Sequence, residues 1–398
     1  MTQTEFNVYA NQKHIFDMLE KIGEFLKNET FIKTTNVIIK IIAIVGETFS
    51  IQVFADNSSI RNIIIEKYTK HLAKEYEKTI RSMERIVEGK ELSFSKKCHV
   101  GCIMKLGFFL NEKQQSFYSL KPFVQVKVSN NEYSLMQCRY SWFDNKVYDS
   151  CTKMLMTAFF INQPQWNIID ADTKKIEKIY FPPDIASFAI HEAIGHSLEA
   201  DIYYNNANIA DRFRIGNAIM KRGIDIISQN NGDYLGADEF DDEGTKTKPL
   251  ILIQDGAVKN IMCDKYYAHL MKKEYCGNCR SSIPFLKNQV RMSNLMVSMS
   301  NDCNLYDEEM LNECWIAYEP TLISINPGES FSIKIRYLVN EKTHCYIKDF
   351  MYKASIFSFC DSIIGYSKEF GAFTGVCIKN GDAVNVTNGS IGIILKEL

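Results

Sequence analysis

Proline and glycine are scarce in this chain, 8 and 20 of 398 residues, which excludes collagen-like and low-complexity classes. Neither sign of charge is in excess: 46 Lys+Arg stand against 48 Asp+Glu, a net charge of -2. A nucleic-acid footprint over the whole surface would need a clear basic surplus, so no nucleic-acid partner is expected. No apolar run is long enough to cross a bilayer. The longest, VIIKIIAIV, is short and carries Lys40, so no membrane partner is expected either. The opening segment MTQTEFNVYANQKHIF has no apolar core of the secretory kind. Twelve cysteines are about 3% of the chain, far below the density of a disulfide scaffold. The expected compartment is therefore the cytoplasm, with most cysteines as buried thiols.

What is present is material for packed cores: 46% hydrophobic residues and 12% aromatic. At about 150 residues per domain, the length suggests two domains or a little more. Within 11–27, Ile15, Met18, Leu19, Ile22, Phe25 and Leu26 recur at helical spacing. VIIKIIAIV, Gly46-Glu47 and TFSIQVF then read as a β-hairpin. A charged helix is expected over 59–87, strands at CIMKLGFFL, PFVQVKV and YSLMQCRY, and a helix over 147–160. Residues 1–165 thus read as an α+β scaffold or assembly domain without a chemical motif. Cys98 and Cys102 bracket His99 in a strand pattern. That spacing fits no standard zinc knuckle, and buried thiols are the expectation.

Chemistry concentrates in DIASFAIHEAIGHSLEAD. Of 7 histidines in the chain, two, His191 and His196, fall in this one segment. A chance H-E-x-x-x-H is expected roughly 0.015 times in such a composition. Asp184 is the expected N-cap, with Ile185, Phe188, Ala189 and Leu198 facing a core. Buried histidines and glutamates need partners, and a zinc ion would supply them. The spacing departs from H-E-x-x-H: five residues turn an ideal α-helix through about 140°. Both rings can face one ion only if the helix widens by a π-bulge or breaks near His196, and Gly195 eases such a distortion. Two unrelated core histidines are the alternative.

Glu192 follows the first histidine directly. In metallopeptidases a carboxylate there takes a proton from the attacking water. Glu199 and Asp201 either accept hydrogen bonds from the histidine rings or are solvated. A catalytic zinc needs a third protein ligand. His269, His344, the Asp241-Asp242-Glu243 run and several cysteines are candidates, and composition does not choose among them.

At this point the residues resemble the TldD/PmbA (TldE) family of zinc metallopeptidases, over roughly 180–398. HEAIGHSLEAD looks like the family signature, and DDEGT, LIQDGAVKNIMCDKYYAHLM, GNCRSS, VRMSN and GVCIKNG resemble its later segments in the same order. The resemblance implies that His191, His196 and Cys377 hold zinc (Zn2+) and that Glu192 is the general base. It implies a TldD-like active subunit cleaving unfolded or extended peptides, including precursors of modified natural products. It also implies a dimer, either a homodimer or a heterodimer with a TldE/PmbA-like paralogue. A catalytically silent PmbA/TldE-like partner subunit is the alternative; the intact ligand set counts against it. A structural zinc protein is a third reading.

Cys276 and Cys279 form a C-x-x-C where the family has Thr and Gly. A ribbon would need a second such pair, so free thiols are expected. The Asp241-Asp242-Glu243 run lacks a calcium-loop pattern and is expected to be solvated or to face substrate. QDGA between LILI and VKNIM signals a tight hairpin, and FSIKIRYLV, ASIFSF and SIGIIL read as strands. The fold class expected is α+β in two domains, the second, 166–398, a β-rich antiparallel-sheet metallopeptidase domain carrying the zinc helix.

Overall fold

The computed structural model describes residues 36–44, 48–55, 97–109, 115–129, 134–139, 165–171, 176–230, 234–285, 287–300, 306, 308–326 and 328–396. The helices expected over 11–27, 59–87 and 147–160 lie outside these residues. Among those described, the chain mixes α and β structure and is rich in sheet.

Among the described residues, five strands precede residue 165: β1 (Val37–Ile44), β2 (Thr48–Ala55), β3 (Lys97–Phe109), β4 (Gln115–Ser129) and β5 (Ser134–Arg139). They form one antiparallel sheet in the order β2-β1-β3-β4-β5. Runs of Ile, Val and Phe suit pleated, half-buried backbone. The expected first hairpin is present, with Ile44 opposite Thr48 at its turn.

The later strands are β6 (Asn167–Ile168), β7 (Lys178–Phe181), β8 (Ile224–Ser228), β9 (Leu250–Gln254) and β10 (Ala257–Val258). Then come β11 (Cys279–Arg280), β12 (Gln289–Val290), β13 (Asn294–Met299), β14 (Trp315–Asn326) and β15 (Ser330–Asn340). The last are β16 (Cys345–Ser355), β17 (Ile363–Lys379) and β18 (Asp382–Lys396). All but β11 and β12 join an 11-stranded sheet, in the order β10-β9-β8-β13-β18-β7-β14-β15-β16-β6 with β17 paired to β18. Pairing is antiparallel except for β13 with β18, β14 with β7 and β16 with β6. Asp255 and Gly256, with φ of 50° and 77°, close the β9–β10 hairpin as a left-handed two-residue turn, as the QDGA signal predicts.

Two local expectations are corrected. ASIFSF is not a strand: β16 stops at Ser355, whose hydroxyl accepts the Ser358 N–H at 3.0 Å and caps a helix, Ile356–Ser362. Ile356, Phe359 and Cys360 then bury one helical face. Asp184 is not an N-cap either. The helix Pro183–Ile190 starts after Pro182, with Pro183 in its first turn, where a missing N–H costs nothing. Asp184 follows in that turn, favourably placed against the helix dipole.

The helix Pro183–Ile190 packs on β17 and β18. Ile185, Ala186, Ala189 and Ile190 are fully buried, and the alanines and Ser187 permit a close approach to the sheet. Phe188 is only half-buried. The earlier sheet reaches this part through β3. Phe109 packs with Ile38 and Phe240, and Lys105 Nζ bonds Asp242 Oδ1 at 2.7 Å and Asp238 Oδ2 at 3.0 Å.

Candidate metal centre

The helix changes its winding where the histidines begin. Pro183–Ile190 is α-helical, His191–Gly195 is a π turn and His196–Leu198 is 3-10. The His196 backbone N–H donates to the His191 carbonyl, five residues back. A π turn closes i to i+5, so residues five apart share a face. The widening that the spacing requires is therefore built into the backbone between the two rings. Gly195 serves this turn through space rather than through φ, which is an ordinary −57°. A Cβ there would overlap Sδ of the fully buried Met292. Gly195→Ala should cost roughly 1–3 kcal/mol by overpacking. An unchanged thermal midpoint would show that Met292 gives way freely.

His191, His196 and Cys377 each turn a donor atom toward one point. These atoms lie within 4.8 Å of one another, and all three side chains are buried. His196 Nε2 stands 3.5 Å from Cys377 Sγ. Zinc bonds of about 2.0–2.1 Å to nitrogen and 2.3 Å to sulfur at tetrahedral angles separate such ligands by roughly 3.5 Å. Glu192 Oε2 is 3.7 Å from His196 Nε2. Among the described residues no other group of His, Cys, Asp and Glu converges in this way. His269 is exposed on the helix Lys265–Met271. His344 is exposed in the turn before β16 and packs against Trp166, ring centroids 5.2 Å apart and tilted by 51°.

The outward nitrogens of both rings are fixed. His191 Nδ1 meets Asn388 Oδ1 at 3.1 Å. Because that oxygen also accepts the Leu295 N–H, His191 Nδ1 is the donor, which leaves Nε2 to face Cys377. His196 Nδ1 donates to Glu199 Oε2 at 2.8 Å. Glu199, wholly buried, also accepts from Lys379 Nζ at 2.7 Å and from the Met292 N–H at 3.1 Å. Of the two acidic residues after the signature, Glu199 thus holds a ring, while Asp201 pairs with Lys379. Cys377 is steadied through its backbone. The fully buried Arg291 donates to its carbonyl at 2.6 Å and to the Asp382 carbonyl at 3.1 Å.

Burial alone would raise the Cys377 thiol, but the two imidazoles more than offset it and hold it well below its ordinary range. Burial likewise opposes charge on His196; the Glu199 carboxylate and the Cys377 sulfur raise it well above its usual value. Burial pushes the Glu192 carboxyl up. The sulfur is thus held as the thiolate, the form that binds metal, and the donor set fits a zinc ion.

Asn388, Arg291 and Lys379 were not singled out by motif. Lys379 was within reach, since residues two apart on a strand share a face with Cys377. The other two depend on strand register. The acidic run is also corrected. Asp241 and Asp242 are buried, not solvated. Asp241 accepts the N–H groups of Glu243, Thr245 and Cys279; Asp242 accepts the Ser281 N–H and the Lys105 ammonium.

Residues 173–391 match the family model described as the PmbA/TldA metallopeptidase C-terminal domain. The chain is 28% identical over 225 residues to a protein of Saccharolobus solfataricus named zinc metalloprotease TldD homolog, covering 55% of this chain and 50% of that one. It is 25% identical over 217 residues to a metalloprotease of Methanothermobacter thermautotrophicus, covering 52% and 46%. The chain thus spans about half the length of these curated relatives. The crystal structure of TldE from Thermococcus kodakarensis aligns over 96% of this chain and 98% of its own, with a TM-score of 0.57 and 12% identity, a likeness of fold.

Proposed function

The chain belongs to the TldD/PmbA metallopeptidase family, and on that premise we propose that it is a TldD-like zinc peptidase hydrolysing unfolded or extended peptides. The observation that carries this reading is the convergence of His191, His196 and Cys377 beside Glu192. The two Nε2 atoms and the thiolate would hold the zinc. Zinc so held supplies Lewis-acid polarisation of the scissile carbonyl. Glu192, close to the ligands and raised by burial, takes a proton from the attacking water and passes it toward the leaving amine. Asn388 and Glu199 keep both imidazoles in the tautomer that presents Nε2. The same intact residues favour this reading over a silent TldE/PmbA-like partner.

β17, which carries Cys377, pairs with β18 on one side, and no described strand pairs with its other edge. Val376 and Ile378, flanking Cys377, are exposed. A strand edge beside the metal ligands suits capture of an extended peptide through its backbone, which reads side chains weakly. Incubating the zinc-loaded protein with an unfolded protein and with its folded form should give cuts at several sites in the first and none in the second. Equal cleavage of both, or a single strict site, would refute backbone capture.

Residues 1–165 serve as the assembly domain and 166–398 as the peptidase domain of a cytoplasmic homodimer or of a heterodimer with a TldE/PmbA-like paralogue. Among the described residues no helix is long and apolar enough to cross a membrane. Light scattering of the purified chain, alone or with such a paralogue, should return a dimer. A monomer fully active at nanomolar concentration would contradict this assembly.

A further inference from the structure

A second pair of nucleophilic side chains lies apart from the metal centre. Cys263 Sγ and Cys276 Sγ stand 3.0 Å apart; Cys263 is wholly buried and Cys276 is 7% exposed. The C-x-x-C spacing would pair Cys276 with Cys279, but the fold parts them. At Gly277, with φ of 73°, the chain turns. Cys279 then enters β11, its N–H bound by Asp241 Oδ2 at 3.1 Å and its thiol raised by burial and by Glu243 and Asp241. Cys276 faces Cys263 instead. The hydrogen bond from the Cys263 thiol lowers the Cys276 thiol, and the Lys273 ammonium adds to this. Lys273 Nζ is itself buried and finds no hydrogen-bond acceptor among the described residues. Cys276 is thus the sulfur that gives up its proton more readily, with the Cys263 sulfur in contact to resolve it.

We propose that Cys263 and Cys276 form a reversible dithiol–disulfide site, oxidised by hydroperoxides and reduced by small thiols. The Cys276 thiolate attacks the outer peroxide oxygen. The O–O bond breaks, the alkoxide or hydroxide leaves and is protonated, and Cys276 becomes a sulfenic acid. The Cys263 sulfur then attacks the Cys276 sulfur. An S–S bond forms, the S–O bond breaks, and the hydroxyl departs as water with the Cys263 proton. Two electrons pass from the sulfurs to one peroxide, and two equivalents of small thiol return them. The closed ring holds the helix Lys265–Met271. It also ties together two segments that support the metal centre. Met262 exchanges backbone hydrogen bonds with Leu198 and Ala200 on either side of Glu199, and the Asn278 carbonyl accepts the Arg291 N–H.

The test treats the full zinc-loaded chain with stoichiometric hydrogen peroxide, alkylates remaining thiols and maps the digest without reduction. A Cys263–Cys276 cross-link with a loss of about 2 Da, reversed by dithiothreitol, is expected, together with a rise in thermal midpoint of at least about 2 °C. In Cys263→Ser, a sulfenic acid at Cys276 should be trapped by dimedone; in Cys276→Ser, Cys263 should stay reduced. A Cys276–Cys279 cross-link would overturn the proposal. So would full alkylation of both thiols after peroxide, a measurement on the unaltered protein that stands whether or not the variants fold.

Discussion

Cys377→Ala should strip the purified protein of most of its zinc, and His191→Ala should do the same, from about one ion per chain in the unaltered protein. The effect is expected to be large because each change leaves two donors where a zinc site of this kind needs three. The sulfur contributes more than a contact: the His196 and His191 imidazoles hold it as the thiolate, and zinc then takes the place of the protons that the sulfur and Glu199 favour on the rings. A graded comparison separates ligands from their supports. Asn388→Ala leaves all three donors but frees His191 Nδ1, and should weaken zinc only about 10- to 100-fold. Metal analysis after dialysis, and competition against a chromophoric chelator, read both effects. Full zinc occupancy in both Cys377→Ala and His191→Ala would sink the assignment.

The local winding at the histidines was legible because a fixed spacing poses a geometric problem with few solutions. Two rings five apart cannot share an ion on an α-helix, and the backbone resolves this with a π turn closed by the His191 carbonyl and the His196 N–H. The β9–β10 hairpin was legible for a similar reason, since Asp255-Gly256 tolerates the positive φ it requires. Asn388 and Arg291 were not. Each reaches the centre through a pairing set far away in sequence, β18 against β13 for Asn388 and the approach to β17 for Arg291, and no local pattern encodes register. Asp241 and Asp242 misled because composition places carboxylates in water. Here backbone N–H groups bond both carboxylates and one buried ammonium pairs with Asp242, although burial still pushes the Asp241 carboxyl up to about 7. ASIFSF misled because an apolar run of that length fits a strand or a helix equally well; the Ser355 cap decides it.

Glu192→Gln should leave the zinc in place and lower peptide hydrolysis by at least ~100-fold. The substitution keeps the shape of the side chain and removes its capacity to take a proton. Position separates the two roles a carboxylate could play here. Glu192 Oε2 is 3.7 Å from His196 Nε2, beside the donor atoms, yet the converging trio is His191, His196 and Cys377. The carboxylate that fixes a ring is Glu199, held low by His196 and Lys379 against the cost of burial; a group so stabilised as an anion is a poor proton acceptor. Glu192 differs, because burial raises its carboxyl. That brings its affinity for a proton closer to the working pH, where a general base is most effective. Glu199→Gln should therefore act first on metal affinity and only through it on rate, whereas Glu192→Gln should act on rate at full metal occupancy. Zinc content and initial rates measured on the same preparations distinguish them. If Glu192→Gln loses metal and activity together, Glu192 is a ligand or a structural support, and the proton must be taken by another group.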